Sequence, residues 1–144
     1  MKLSSPLPNA ILKYHNKGGD ITQWWGENEA LYSRYTPNDP YHTGLDIKSP
    51  GGTGIYAPKD GNIKGIARVR DSITLGGNST YLHSHDFLDD DNVTKKLILG
   101  FLHQSEILVE LNQPIKEGDL IGKVGNTGFT VSTNSDFWDN TNSA

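Results

Sequence analysis

The 144-residue sequence contains no cysteine. A disulfide staple and a thiolate nucleophile are therefore both excluded, and any metal site has to be built from His, Asp or Glu. No apolar run approaches the roughly 20 residues that a membrane-spanning helix needs. The first eight residues, Met-Lys-Leu-Ser-Ser-Pro-Leu-Pro, carry no apolar core of a signal peptide. Concentrated positive charge is missing too. Lys and Arg number 13 against 17 Asp and Glu, a formal net charge of −4, and Lys95-Lys96 is the only adjacent basic pair. That distribution argues against a nucleic-acid binder. The G-x-S-x-G elbow, the P-loop and the dinucleotide fingerprint are all absent, so serine hydrolase, nucleotide and nicotinamide chemistry have no support.

What is present is glycine, 16 residues of it, with a hydrophobic content of only 34%. Such a polar, turn-rich chain suits a single domain with one core, closer to all-β than to a helix bundle. Strand-like runs alternate with Gly, Pro, Asn and Asp clusters and predict strands over 21–25, 45–47, 54–57, 61–69, 72–75, 80–85, 97–103 and 120–124. Helical signals are confined to 27–35 and one turn at 105–111. The acidic stretch 86–92 reads as a hydrated hairpin loop, since it lacks the ligand spacing and glycine turn of a calcium loop. The fold class that follows is mostly β, an antiparallel sheet domain with long loops and little helix.

The local signal with most chemical content is Tyr41-His42-Thr43-Gly44-Leu45-Asp46-Ile47. In an extended stretch His42, Gly44 and Asp46 share one face, while Leu45 and Ile47 point to the other. An imidazole and a carboxylate with only a glycine between them supply two ligands of a three-ligand zinc site. Read on spacing alone, the same residues are more readily a surface-loop histidine and an Asp cap.

Context decides between those readings. Downstream lie Gly52-Thr53-Gly54-Ile55-Tyr56-Ala57-Pro58-Lys59-Asp60-Gly61, then Phe101-Leu102-His103-Gln104, then Ile115-Lys116-Glu117-Gly118-Asp119-Leu120-Ile121-Gly122-Lys123-Val124-Gly125-Asn126-Thr127-Gly128. The collinear series, about 110 residues long, resembles the lysostaphin/LytM-type zinc metallopeptidases, also called duplicated hybrid motif proteins. Their pattern runs from H-x-G-x-D through "G-T-x-V-Y-A-x-x-D-G-x-V" and "Y-x-H-L" to "V-x-x-G-x-x-I-G-x-x-G-x-T-G". The resemblance implies a compact antiparallel β-sheet domain with a groove. It also implies a peptidoglycan peptide as substrate, one Zn2+ held by His42 and Asp46, and His103 as the catalytic histidine beside the metal. Action would then be extracellular or periplasmic, on the cell wall. Without a leader in the sequence, the domain would reach the wall within a larger chain, in a phage particle, or by a dedicated export or lysis step.

One departure matters. In the family the glycine-rich segment leads into an H-x-H strand, whose second histidine is the third zinc ligand. Here 129–144 contain no histidine. The 1–144 domain is therefore expected to be truncated at its C-terminal end, with the missing strand beyond residue 144 or on a second polypeptide. Two alternatives stand beside this. The chain could be a catalytically inactive member serving as a wall-binding, structural or regulatory module, for example in a phage tail or envelope complex. Or His83-Ser84-His85, the one H-x-H present, could substitute; its other reading is a pair of solvated hairpin histidines. The tail 136–144 reads as a polar loop. Of Trp24 and Trp25, one is expected in the core and the other at a groove rim, and His15 is expected at the surface. Asn126 and Thr127, flanked by glycines, could present backbone groups to a substrate or serve a turn.

Overall fold

A computed structural model describes residues 1–27, 38, 42–71, 75–131 and 137–140. The chain folds as two units: Asn9–Ser49, and Met1–Pro8 together with Pro50–Ala144.

In the Asn9–Ser49 unit a 3-10 turn, His15–Lys17, is closed by Gly18 in the left-handed conformation that glycine adopts without steric cost. Strand β1 (Ile21–Gln23) runs antiparallel to β2 (Asp46–Ile47), with Ile21 opposite Ile47 and Gln23 opposite Asp46. Ile21 is buried and anchors the pair.

The larger unit is nearly all strand. Its main sheet has the order β10 (Pro114–Ile115), β4 (Gly61–Ala67), β5 (Asn78–Ser84), β8 (Ile98–Gln104). A second sheet pairs β3 (Gly54–Tyr56), β11 (Leu120–Lys123) and β9 (Glu106–Ile107). Two hairpins complete it: β6 (Phe87–Leu88) with β7 (Thr94–Lys95), and β12 (Gly128–Val131) with β13 (Phe137–Asn140). Every one of these pairings is antiparallel. Period-2 alternation explains the core. Ile63 faces Leu82, Leu82 faces Leu99, and both Ile63 and Leu82 are fully buried, whereas Tyr81 on the opposite face is exposed. Ile55, Ala57, Val109, Ile115 and Ile121 join them. Near the edge of this core Gln104 is also fully buried. Its amide nitrogen donates to the Thr80 hydroxyl and to the Phe101 carbonyl, each at 2.9 Å.

Six of the expected strands appear within two residues of their predicted bounds, and the strand expected at 21–25 is β1. The acidic stretch 86–92 lies in a hairpin, as its composition implied, but it is not all loop: it includes strand β6, and residues 89–93 make the connection to β7. Other expectations are corrected. Where a turn of helix was foreseen at 105–111 the chain instead forms the two-residue strand β9 and continues without helix, because the Ser105 and Leu108 amides are captured by the Lys123 and Ile121 carbonyls of β11. The tail foreseen as a loop contains β13, whose four residues pair in register with β12; a partner ladder overrides the weak strand propensity of Asp139 and Asn140. Neither tryptophan is core, since Trp24 is 44% and Trp25 65% exposed. Of the strand foreseen at 72–75, residues 72–74 lie outside the described residues and Leu75 is in a turn. The helix foreseen at 27–35 lies outside them except for Glu27, which is irregular.

Candidate metal centre

His42 and Asp46 are brought together by the short β1–β2 pair and the loops that flank it. Main-chain hydrogen bonds hold position 42 from both sides: Gly26 N–H donates to the His42 carbonyl at 2.7 Å, and His42 N–H donates to the Glu27 carbonyl at 3.0 Å. Asp46 is fixed four residues later by its pairing with Gln23. The outcome is His42 Nε2 at 3.1 Å from Asp46 Oδ1, with the imidazole buried and the carboxylate half exposed. Gly44 lies between them. A Cβ there would stand 3.9 Å from His42 Nε2, so any longer side chain would reach over that nitrogen. The glycine keeps the approach to it clear.

The other ring nitrogen, His42 Nδ1, lies 3.0 Å from the Trp24 carbonyl oxygen. A carbonyl can only accept, so Nδ1 carries the proton. Nε2 in the neutral ring then presents a lone pair directly to a carboxylate oxygen. Two acceptors facing each other across 3.1 Å call for a cation between or upon them, either a proton on the ring or a metal ion. The acid–base balance agrees. Burial pulls the pKa of His42 down, but the Asp46 carboxylate, the Trp24 carbonyl and Glu27 outweigh it and leave it above the ordinary histidine value. This donor set fits two of the three protein positions of a tetrahedral zinc site. Among the described residues, no group of three or more His, Asp or Glu side chains converges where a metal could sit.

Under the His42 loop lies a contact set the sequence did not announce. Glu27 accepts a hydrogen bond from the Tyr14 hydroxyl through one carboxylate oxygen and from the Trp24 backbone N–H through the other. The Tyr14 bond holds the Glu27 carboxyl below its usual range, and the same bond raises the Tyr14 phenol. The Tyr14 ring stacks on Trp24, 6.1 Å between centroids and 6° between planes. In the sequence Glu27 is one acidic residue after a glycine, and no periodicity marks it.

His103 belongs to the larger unit, one residue before the end of β8. It is half-buried and has φ +57. The β5–β8 register shifts here, with Asn78 opposite Gln104 but Thr80 opposite Phe101. Leu102 and His103 thus stand opposite Ser79 alone, a bulge that re-aims the histidine. Its N–H donates to the Gly76 carbonyl at 2.7 Å, and Nδ1 lies 2.7 Å from the Thr127 carbonyl oxygen. The left-handed backbone and the role of Thr127 as an anchor, through its main chain, were not legible in the motif. Of the alternative pair, His83 lies on β5 and His85 just beyond it, exposed and 3.3 Å from Asn62 Oδ1. Both line a shallow depression beside Lys64, Asp86 and Lys96. His15 is exposed.

A family model described as peptidase family M23 matches residues 40–137, well over half of the chain. The chain belongs to peptidase family M23. The lysostaphin/LytM-type resemblance carried by its motifs is thereby confirmed, and the mostly β, antiparallel fold agrees with it. An uncharacterized metalloprotease of Buchnera aphidicola subsp. Baizongia pistaciae (strain Bp) is 30% identical over 104 residues, which make up 72% of this M23 chain and 24% of that protein. The structure of LytU is 26% identical with a TM-score of 0.57, over 79% of this chain and 68% of its own. A zinc-containing peptidase from Vibrio cholerae shares the fold, with a TM-score of 0.65 at 21% identity, over 92% of this chain and 34% of its own. The M23 chain thus spans about a quarter of its metalloprotease relative and about a third of the Vibrio peptidase.

Proposed function

We propose that this M23 chain is the catalytic portion of a zinc-dependent endopeptidase that cleaves peptide bonds in bacterial peptidoglycan, acting outside the cytoplasmic membrane. The observation that carries the metal reading is the facing pair His42 Nε2 and Asp46 Oδ1, with His42 Nδ1 committed to a carbonyl. His42 would hold the ion through the Nε2 lone pair and Asp46 through its carboxylate. What a zinc ion would supply there is Lewis acidity toward a peptide carbonyl and toward water. His103 is proposed as the histidine that takes or gives the proton, on the strength of its place in the family motif. Its Nδ1–H is held by Thr127, so the proton would move at Nε2. The third zinc ligand is proposed to come from outside the described residues, from further chain or from a partner.

One observation favours a second reading, a non-catalytic member acting as a wall-binding, structural or regulatory module, for instance in a phage particle or an envelope complex. Among the described residues, no third metal-binding side chain joins the pair. The two readings separate on one experiment. Zinc content is measured on the full natural chain and on His42→Ala and Asp46→Ala, and each is incubated with purified peptidoglycan while newly released amino groups are counted. The enzyme reading expects stoichiometric zinc and amino-group release in the wild type, with both lost in either variant. Zinc-free wild type that releases nothing refutes it; binding to the wall without release supports the module.

A further inference from the structure

We propose that Glu27 is a positioning residue for the metal-facing histidine, acting with Tyr14 to fix which nitrogen of His42 is offered to a cation. The inference rests on the metal reading of the His42–Asp46 pair and extends it to residues outside the motif. The argument starts from what a histidine ligand needs: one ring nitrogen free of hydrogen and aimed correctly, which is set by the partner of the other nitrogen. For His42 that partner is the Trp24 carbonyl at 3.0 Å. Trp24 itself is 44% exposed and sits just past the end of β1, where the strand ladder no longer fixes its carbonyl.

What fixes it is Glu27. Its carboxylate bridges the Trp24 backbone N–H and the Tyr14 hydroxyl, so residue 24 is tied to the chain ten residues upstream. The main chain of Glu27 does the rest. Its carbonyl accepts the His42 N–H at 3.0 Å and its N–H donates to the Trp24 carbonyl at 3.4 Å, while the Gly26 N–H donates to the His42 carbonyl at 2.7 Å. Backbone and side chain of residues 24–27 thus grip His42 at N–H, carbonyl and Nδ1. Without the carboxylate the Trp24 N–H loses its acceptor and residue 24 its tie to Tyr14, so the following peptide group, which carries the Trp24 carbonyl and keeps the 3.4 Å bond from the Glu27 N–H, can turn away from His42. The Nδ1 acceptor is then lost, and the proton can settle on Nε2, where it faces Asp46 and blocks a metal.

The test uses the full chain, with Zn2+ titrated in competition against a chromophoric chelator. In parallel the metal-free His42 ring is read by its nitrogen chemical shifts at a pH where it is neutral. Glu27→Ala is expected to weaken zinc binding by roughly 10–100-fold and to replace the Nδ1–H signature by a tautomer mixture. Glu27→Gln keeps a carbonyl for the Trp24 N–H and an amide for the Tyr14 oxygen, so it is expected to restore both readouts. Wild-type zinc affinity and an unchanged Nδ1–H signature in Glu27→Ala would overturn the proposal, as would failure of Glu27→Gln to rescue. Should Glu27→Ala not fold, Tyr14→Phe, which removes one donor and leaves the carboxylate, decides: unchanged affinity and tautomer there also overturn it. If wild type binds no zinc, or His42→Ala binds it equally well, the metal reading fails instead, and the tautomer readout still judges Glu27.

Discussion

Replacing Gly77 by alanine should both destabilise the larger unit and dislodge His103. Gly77 has φ +64, where a residue with a Cβ incurs roughly 1–2 kcal/mol. Space is the larger difficulty. A Cβ at this position would lie 2.3 Å from the Thr127 carbonyl oxygen and 2.6 Å from its hydroxyl. Ordinary contact begins near 3.4 Å, so Thr127 must retreat by about 1 Å. That residue is heavily committed. Its hydroxyl accepts the Asn78 N–H at 3.0 Å and donates to the Gln104 carbonyl at 2.7 Å, and its carbonyl oxygen takes His103 Nδ1 at 2.7 Å. Losing two or three such bonds at about 1 kcal/mol each, on top of the backbone strain, brings the total to roughly 3–5 kcal/mol. Urea unfolding followed by tryptophan fluorescence measures it as a lower midpoint with an unchanged slope. Gly118→Ala is the control: φ is +89, yet nothing lies within 4 Å of the added Cβ, so it should lose only the strain. If Gly77→Ala costs no more than Gly118→Ala, and the His103 ring keeps its wild-type chemical shifts, the packing argument is wrong.

Leu82→Ala, at a fully buried site between Ile63 and Leu99, should cost about 2–5 kcal/mol in the same assay; a loss below about 1 kcal/mol would mean the sheet face is not the core described. Lys95→Met should lower stability at neutral pH by removing the partner of Asp89 and Asp91, at 2.7 and 2.8 Å. The Lys95 hydrogen bond, followed by the N-terminal amine, holds the Asp89 carboxyl well below the usual range. A depressed carboxyl stabilises the fold above its unfolded pKa, near 4, and loses that contribution as pH falls toward the folded value. The gap between wild type and Lys95→Met in urea midpoint should therefore hold from neutrality to about pH 5 and close at lower pH; a gap that widens on acidification would refute the assignment. Gly44→Val should impair zinc uptake by shielding Nε2 while leaving the unfolding midpoint close to wild type, checked by chelator competition beside the urea curve.

Much of the fold could be read from the chain because its devices are local. The strand-like runs at 61–69 and 80–85, bounded by Gly, Asn and Asp clusters, announce β4 and β5 without knowledge of their partners, whereas the burial of Thr80 and Ser84 beside Leu82, with Tyr81 outside, follows no apolar–polar alternation. The pairing of His42 with Asp46 was legible because it is local too: four residues around a glycine that permits a bend have few ways to arrange themselves, and the chain bends at Gly44. What was not legible depends on chain far away in sequence. Ser105 to Leu111 has nothing against a helical turn until β11 supplies carbonyls for its amides. One of Trp24 and Trp25 was expected in the core, but among the described apolar side chains of the short Asn9–Ser49 unit Ile21 is the buried one and both indoles remain outside. Glu27 gained its role from Tyr14, thirteen residues earlier, and no spacing rule reports that.

The two histidines singled out by the motifs are held by the same device in different units. Each commits Nδ1 to a main-chain carbonyl, Trp24 at 3.0 Å for His42 and Thr127 at 2.7 Å for His103, which leaves Nε2 as the working atom. The consequences diverge with what each ring faces. His42 Nε2 looks at a carboxylate, a setting that favours a cation over a lone pair, so it suits holding charge. His103 has a left-handed backbone in a bulge, conformational strain on the order of 1–3 kcal/mol that is tolerated only where surrounding contacts over-determine it. The Gly76 and Thr127 carbonyls are those contacts, and both come from loops rather than from the neighbouring strand. His85, by comparison, meets Asn62 through Nε2 at the surface and lacks any such main-chain tether among its described contacts. Tethering by Nδ1 thus distinguishes, on this chain's own geometry, the histidines arranged to present a chosen nitrogen from one that merely decorates a strand end.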